Sequence, residues 1–563
     1  MNVTLASLTL DSLLKNSAQS YPNHIALGEV DGVSITYSAL QDKVHVISGL
    51  LSGQGIVSGD RVAILSENKP QWGIAYFAIT TMGAVVVPIL PDFTAAEVQH
   101  IIRHSGAKAI FVSEKLYSKI EDEFESSLRS VFIIEDFSMV PLSTKGDKLK
   151  EFIEQGSIEF DKFKEAARRL AGRSKEVQEE DLASIIYTSG TTGHSKGVML
   201  THKNIVSDAI ATTGIIDINH SDRLLSILPL SHAYECTLGL VLVLLVGAAV
   251  YYVDKPPTAR VLTPALQSVK PTIMCSVPLV IEKIFKTRIL PQFTQKRVVR
   301  GLYQVRFMRR TLHRAAGKKL LRFFGGELRS FCIGGASLAP DVEHFLREAH
   351  FPYAIGYGLT ETSPLIAGTD PAGTVLRSTG KPLPGTEIRI ENPNPHTGEG
   401  EILVRGPMVM QGYYKDPERT ALVMGDEGWF RTGDLGAFDE NGYLYIKGRL
   451  KNMILGPSGE NIYPEEIEAV LNEESDVLES LVFEQNGQLI ARIFLNYEEL
   501  DQAFSSMKLS DSEIKEKIQQ RLEEIRQRVN SQVKPFSRIN KIIEQTEPFD
   551  KTPTQKIKRY LYI

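Results

Sequence analysis

A chain of 563 residues has the length of about three or four domains, with ample material for buried cores. Its 42% hydrophobic and 23% charged residues are the balance of an ordinary globular protein, and a formal net charge of −5 excludes a global attraction for nucleic acid. The three cysteines (Cys236, Cys275 and Cys332) lie in apolar neighbourhoods, lack metal-ligand spacing and are odd in number. They read as buried thiols of a reducing compartment rather than a disulfide framework. The N-terminus lacks a basic region followed by a sustained apolar core, so no secretory signal and a cytoplasmic protein are expected.

The spacing of Leu10, Leu13, Leu14 and Ala18 predicts a helix over 8–20, ended by Tyr21-Pro22. From Asp60 the pattern alternates. A strand at 60–65, a helix at 71–82, a strand at 84–89, a helix at 94–104 capped by Thr94 and a strand at 107–112 predict a parallel, doubly wound α/β sheet. Residues 113–180 are more polar and predict peripheral helices and connections.

An apolar run, DLASII, then leads into YTSGTTGHSKGV, from Tyr187 to Val198, with a helix start expected in MLTHKNIVSDAI. Thr188, Ser189, Thr191 and Thr192 supply hydroxyls, Gly190, Gly193 and Gly197 allow close backbone approach, and Lys196 closes the loop. Such a loop can cradle phosphate, although the spacing is not the Walker pattern and a flexible connector has the same composition. LLSILPLSHAYE then predicts a strand with His232 near its carboxyl end, where ligands of open α/β sheets bind; a hydrogen-bonded structural histidine is the plainer alternative. The uncharged run 237–253 approaches the length of a membrane span, but Gly247 divides it into a helix-like and a strand-like half, the expected pattern of a buried α/β unit. Between Lys283 and Arg322 lie thirteen Lys/Arg residues, with no acidic residue from Lys283 to Gly326. That stretch is either a solvated amphipathic face or a surface for anionic headgroups or the phosphates of coenzyme A.

LRSFCIGGASLAP predicts a strand ending at Gly334, Gly335 and Ala336, small residues against which a flat ring can lie. AIGYGLTETSPLIAG adds Gly356, Tyr357 and Gly358, with an aromatic face for adenine, then the Thr360 hydroxyl for a phosphate and the Glu361 carboxylate for Mg²⁺. Residues 378–448 alternate short β runs with turn residues, predicting a small distorted barrel or sheet. Within them Asp434 can accept both hydroxyls of a ribose. A small α/β region follows. Pro464 starts a helix with Glu465 and Glu466 in its first turn, and 510–529 reads as a charged helix with Ile514, Ile518, Leu522 and Ile525 on one face.

Taken together, YTSGTTGHSKGV, GYGLTET, the RTGDLG run, GRLKNMILGPSGENIYPEE and the closing TPTQKIK resemble, in order, the motifs of the adenylate-forming superfamily of acyl-CoA synthetases, adenylation domains and luciferases. The GRLKNMILGPSGENIYPEE stretch looks most like long-chain fatty acyl-CoA synthetases. The resemblance implies a large N-terminal domain over 1–450 (doubly wound sheets and a small β-barrel) and a small mobile α+β domain over 451–563. It implies ATP, Mg²⁺ and coenzyme A as cofactors and co-substrate, with a fatty acid activated through an acyl-adenylate. Thr188 and Glu361 become the metal ligands, Arg449 a nucleotide contact, Lys451 the hinge and His232 a gate between acyl group and thiol. Lys556 becomes the adenylation lysine, ahead of Lys551 and Lys558. Two departures stand out: His194-Ser195 before Lys196, where the family more often has proline, and Gln555 where it has glycine. They leave open a carrier-protein acceptor, an aryl or short-chain acid, or an adenylate-binding protein without turnover. Peripheral association with a membrane's inner face through 283–322 is a further expectation.

Overall fold

The computed structural model describes residues 4–121, 128–142, 176–188, 195–253, 255, 258–295, 297–456, 460–474, 476–497, 500, 510–552 and 556–563. Two large sheets carry the N-terminal part. One has eight strands in the order Gly412–Tyr413, Lys196–Thr201, Leu182–Thr188, Val85–Ile89, Arg61–Leu65, Ala109–Val112, Ser130–Ile133, Met139–Val140. Its central strands pair in parallel, Arg61 with Val85 and Val62 with Ala109, as the strand–helix alternation requires. All five residues of Val85–Ile89 are buried, which is why this strand reads as an unbroken apolar run. The helix Pro70–Thr81 is buried on nearly every side and so shows no amphipathic stripe. In Ala95–Ser105 the predicted cap is present: Thr94 Oγ1 accepts from the Glu97 N–H while Glu97 Oε2 accepts from the Thr94 N–H at 2.8 Å.

The second sheet has seven strands in the order Tyr353–Ile355, Ser330–Ile333, Ile273–Ser276, Arg223–Ser226, Ala249–Tyr252, Ile25–Glu29, Ser34–Thr36, parallel but for the last pair. The apolar run 237–253 folds as expected: a buried helical turn system over Glu235–Leu245, a break at Gly247 (φ +81°), then the strand Ala249–Tyr252. No helix among the described residues is long and apolar enough to cross a membrane. The β-rich region forms a four-stranded antiparallel sheet, Glu387–Glu391, Gly400–Arg405, Phe430–Phe438 and Leu444–Arg449, beside a three-stranded one containing Tyr357–Gly358.

The C-terminal part has its own three-stranded sheet, Val477–Gln485, Gln488–Leu495 and Lys541–Gln545, and its own apolar cluster. The helix Asp511–Gln532 packs Ile518, Leu522, Ile525 and Val529 into that cluster, and Ser510 caps it against Glu513. The overall arrangement is thus a large N-terminal α/β domain followed by a smaller C-terminal one.

Two readings are corrected. The helix expected to start in 199–201 starts later: Lys196–Thr201 is a strand antiparallel to Leu182–Thr188, and the helix begins at His202 behind the Thr201 cap. Backbone pairing of Gly197, Val198 and Met199 with Tyr187, Ile186 and Ile185 outweighs the helical look of the following residues. Residues 130–140 contribute the last two strands of the sheet, Ser130–Ile133 and, at its edge, Met139–Val140, where only peripheral helices and connections were expected; the remaining expectation for 143–175 lies outside the described residues.

Candidate active site

The carboxyl ends of four parallel strands converge on one edge of the second sheet. After Ser226 comes His232, after Ser276 comes Val277, after Ile333 come Gly334, Gly335 and Ala336, and after Ile355 come Gly356, Tyr357, Gly358 and Thr360. This is the position at which open α/β sheets bind ligands. The Tyr234 ring lies 3.4 Å from where a Gly334 Cβ would stand, and its hydroxyl donates to the Cys332 carbonyl at 2.9 Å. At Gly358 a Cβ would fall 1.8 Å from the Pro364 carbonyl oxygen, so close backbone approach alone demands glycine there.

The first cluster is electrostatic. Lys196 Nζ lies 2.6 Å from Glu361 Oε1 and 2.7 Å from the Tyr413 hydroxyl, which itself donates to Glu361 Oε1 at 2.9 Å. Burial would raise the Glu361 carboxyl, but the Lys196 charge, its hydrogen bond, the backbone and Tyr413 together hold it below the ordinary carboxylate range. Thr188 is the cross-strand partner of Lys196, and its Oγ1 is buried with no hydrogen-bond partner among the described residues. Ser189, Gly190, Thr191, Thr192 and Gly193, the remainder of the expected phosphate loop, lie outside the described residues.

The second cluster joins Tyr357, Asp434 and Arg449. The Tyr357 hydroxyl donates to Asp434 Oδ2 at 2.6 Å, and Arg449 Nε sits 2.8 Å from Asp434 Oδ1, its cross-strand neighbour. Burial raises the Asp434 carboxyl, only partly opposed by Arg449 and Tyr357. The pairs orient the carboxylate from two sides while Thr432 Oγ1 accepts from its backbone N–H at 3.0 Å.

Lys556 reaches this ground from the far end of the chain. Its surface is solvent-exposed, yet desolvation by surrounding protein and the Arg449 charge lower its pKa, against the pull of Asp434 and Glu361. The same ammonium helps depress His232, which desolvation chiefly drives down to about 4, so His232 is neutral near pH 7. The Lys556 carbonyl accepts from the Thr552 N–H, and its own N–H donates to Thr552 Oγ1 at 3.2 Å, folding the tail back on itself. Lys551 instead pairs with Glu479 at 2.6 Å. Lys451 sits in a short 3₁₀ turn, Leu450–Asn452; desolvation lowers its pKa, followed by the Arg449 and Lys196 charges.

Thr360 opens the 3₁₀ turn Thr360–Thr362 that presents Glu361, whose carbonyl accepts from the Met410 N–H at 2.9 Å. Tyr413 was missed at the sequence level. Nothing in QGYYKDP marks it, because only the antiparallel pairing of Gly412–Tyr413 with Met199 and Val198 brings it to Lys196. The thiols stay apart from these clusters: Cys236 and Cys275 are buried as expected, Cys332 only half so.

A family model for AMP-binding enzymes matches residues 14–414. The chain is 31% identical over 467 residues to the long-chain-fatty-acid–CoA ligase FadD15 of Mycobacterium bovis, spanning 78% of this chain and 74% of that protein. It is 28% identical over 631 aligned positions to the chloroplastic long-chain-fatty-acid–[acyl-carrier-protein] ligase AEE15 of Arabidopsis thaliana, spanning 98% and 84%. Its fold matches that of O-succinylbenzoate coenzyme A synthetase (MenE) from Bacillus subtilis in complex with ATP and magnesium ion, with a TM-score of 0.72 at 22% identity over 97% of this chain and 98% of that one. An α/β fold with ligand groups gathered at the strand ends thus has a defined kinship, and the chain belongs to the AMP-binding enzyme family. It is an adenylate-forming acid ligase of that family.

Proposed function

We propose that the protein ligates a long-chain fatty acid to coenzyme A in two steps, forming an acyl-adenylate and pyrophosphate from ATP, then acyl-CoA and AMP. The observation that carries the two-step reading is Lys556, seven positions before the chain's last residue, whose charge acts on Asp434 and His232 and lies in the field of Glu361 and Arg449. The long-chain acid rests on the 31% identity to FadD15 across most of the chain.

The chemical difficulty is to bring a carboxylate onto the α-phosphorus of a polyanion. A site that holds both reactants turns a bimolecular encounter into an oriented attack. In this reading Asp434 accepts the ribose hydroxyls, Tyr357 and Gly334–Ala336 flank the adenine, Gly356 and Gly358 keep the backbone close, and Thr360 and the 188–193 loop hold phosphate oxygens. Arg449 and Lys556 supply positive charge where it develops in the transition state. Mg²⁺ fits the donor set, since Thr188 Oγ1 is a buried oxygen lacking a partner among the described residues and one carboxylate, Glu361, suffices for an ion that also takes phosphate oxygens. Bound there, it would neutralise phosphate charge. Lys196 offsets the Glu361 charge in its absence and is released toward phosphate when the carboxylate is engaged elsewhere. Lys451 serves as the hinge between domains bounded at 450 and 451, and its rotation withdraws Lys556 and leaves neutral His232 beside the thiol path.

A second reading has its own support: the relative aligned over 98% of this chain, AEE15, passes its acyl group to a carrier protein. Supplying coenzyme A or a carrier-protein thiol to preformed acyl-adenylate separates the two acceptors.

A further inference from the structure

The basic stretch 283–322 folds into an excursion that leaves the second sheet at the ligand-bearing edge. Its first residue after the strand Ile273–Ser276 is Val277, whose Cγ1 would stand 3.7 Å from a Cβ on Gly335. The chain then runs outward through short helices and returns along Arg306–Phe323. That returning helix has an ordinary inner face, with His313, Ala316, Gly317 and Leu320 buried. The helix before it, Arg297–Tyr303, buries none of its residues.

Elements normally persist by burying an apolar face. Here Val299 and Tyr303 pack against the core beneath, but the outer apolar side chains face water: Val298 is 76% exposed, Leu302 38%, Val305 52% and Phe307 76%. Between and beside them stand Arg297, Arg300 and Arg306. Behind them lies a cleft of about 410 Å³ lined by Arg306, Arg309, Arg310, Arg314, Arg347, His344, His350 and one carboxylate, Glu348. That carboxylate is already saturated, with Arg309 at 3.2 Å, Arg310 at 3.5 Å and His313 at 2.8 Å. Among the described residues Arg306, Arg314 and Arg347 have no ion pair. A local excess of this kind on a chain of net charge −5 is a concentrated field, not a consequence of overall composition.

We propose that this face, helix Arg297–Tyr303 and the start of helix Arg306–Phe323, docks the enzyme on an anionic phospholipid surface. The arginines would meet headgroup phosphates while Phe307, Val305, Leu302 and Val298 enter the headgroup–acyl boundary. The combination is what separates a bilayer from a free phosphate ligand: a soluble anion needs the arginines but gives the exposed phenylalanine nothing, whereas an interfacial segment uses both. The inference stands apart from the identity of the acid.

The test is sedimentation of the full chain with vesicles of phosphatidylcholine alone or mixed with phosphatidylglycerol, at low and high salt. Binding to the mixed vesicles, reversed by salt, is the expected result. Arg300→Glu, Arg306→Glu and Arg314→Glu together should weaken it by more than ~100-fold, and Phe307→Ser alone by roughly tenfold. Turnover of a soluble short acid should be unchanged in both variants, which certifies their folding. Arg309 and Arg310 are left intact because they hold Glu348. Equal binding to both vesicle types, binding unaffected by either variant, or a raised KM for coenzyme A with vesicle binding intact would each overturn the proposal.

Discussion

Lys196 Nζ stands 2.6 Å from Glu361 Oε1, joining residues 165 positions apart, and the Tyr413 hydroxyl closes the triangle. The pair fixes the charge state of the site before any ligand arrives. Lys196→Met leaves the Glu361 carboxyl buried without its main compensating charge. We expect about 100-fold lower kcat/KM for ATP-dependent activation. Stability should fall by up to about 3 kcal/mol, less than for a wholly buried pair because Lys196 keeps a solvent face. Tyr413→Phe, which keeps the ring under the ammonium, should cost about tenfold in rate. The sign with pH follows from the depressed Glu361 carboxyl. Its contribution is present above the ordinary carboxylate range and is lost as pH falls through the lower, folded-state value. Acid unfolding of wild type and Lys196→Met should therefore converge at low pH.

Lys556→Ala separates the half-reactions. Adenylate formation from acid and ATP should fall by about 100-fold or more, while conversion of supplied acyl-adenylate to thioester is retained. Rapid-quench assays of each half-reaction check this. An equal loss in both, with the fold intact, assigns Lys556 a structural role only.

Asp434 is held by Tyr357 at 2.6 Å and Arg449 at 2.8 Å. Asp434→Ala should raise the KM for ATP by about 10–100-fold with little effect on the KM for the acid. Tyr357→Phe, which loses only the orienting bond, should show a smaller rise. Measured nucleotide affinities by calorimetry decide between this and a merely structural carboxylate, which would shift both KM values together.

Glu235 is a buried carboxyl outside the expected site. Its Oε1 accepts from Ser226 Oγ at 2.5 Å, its Oε2 has no hydrogen-bond partner among the described residues, and burial drives its pKa up to about 8. Between the ordinary carboxylate range and pH 8 the folded chain keeps a proton that the unfolded chain has released. Stability therefore declines as pH rises across that window. Glu235→Gln should flatten the decline, so the variant is more stable than wild type at pH 8 relative to their difference at pH 5. Urea melts at the two pH values check this.

Much of the fold was readable because its signals are local. Thr94 and Ser510 each carry a glutamate three residues on, and both cap their helices. Gly247 marks the break between helix and strand through its left-handed backbone. The site was readable where one string carries several groups, as in Gly356 to Glu361. It was not readable where two distant strands supply one cluster. The strand that begins at Lys196 gave no sign of itself, because its pairing with Leu182–Thr188 is set by a register that no local pattern encodes. Tyr413 gave no signal for the same reason. Glu235 was hidden by its neighbours: an apolar run after a histidine draws attention to the histidine, and only burial exposes the orphaned carboxyl oxygen.

The most direct measurement of the central claim is pyrophosphate release from ATP with Mg²⁺ across straight-chain acids from acetate to long-chain fatty acids. Each acid is run with and without coenzyme A, and products are identified by mass spectrometry. The account predicts release that rises with chain length and yields acyl-CoA and AMP. Release confined to short or aryl acids, or adenylate that accumulates and never passes to coenzyme A, would contradict it.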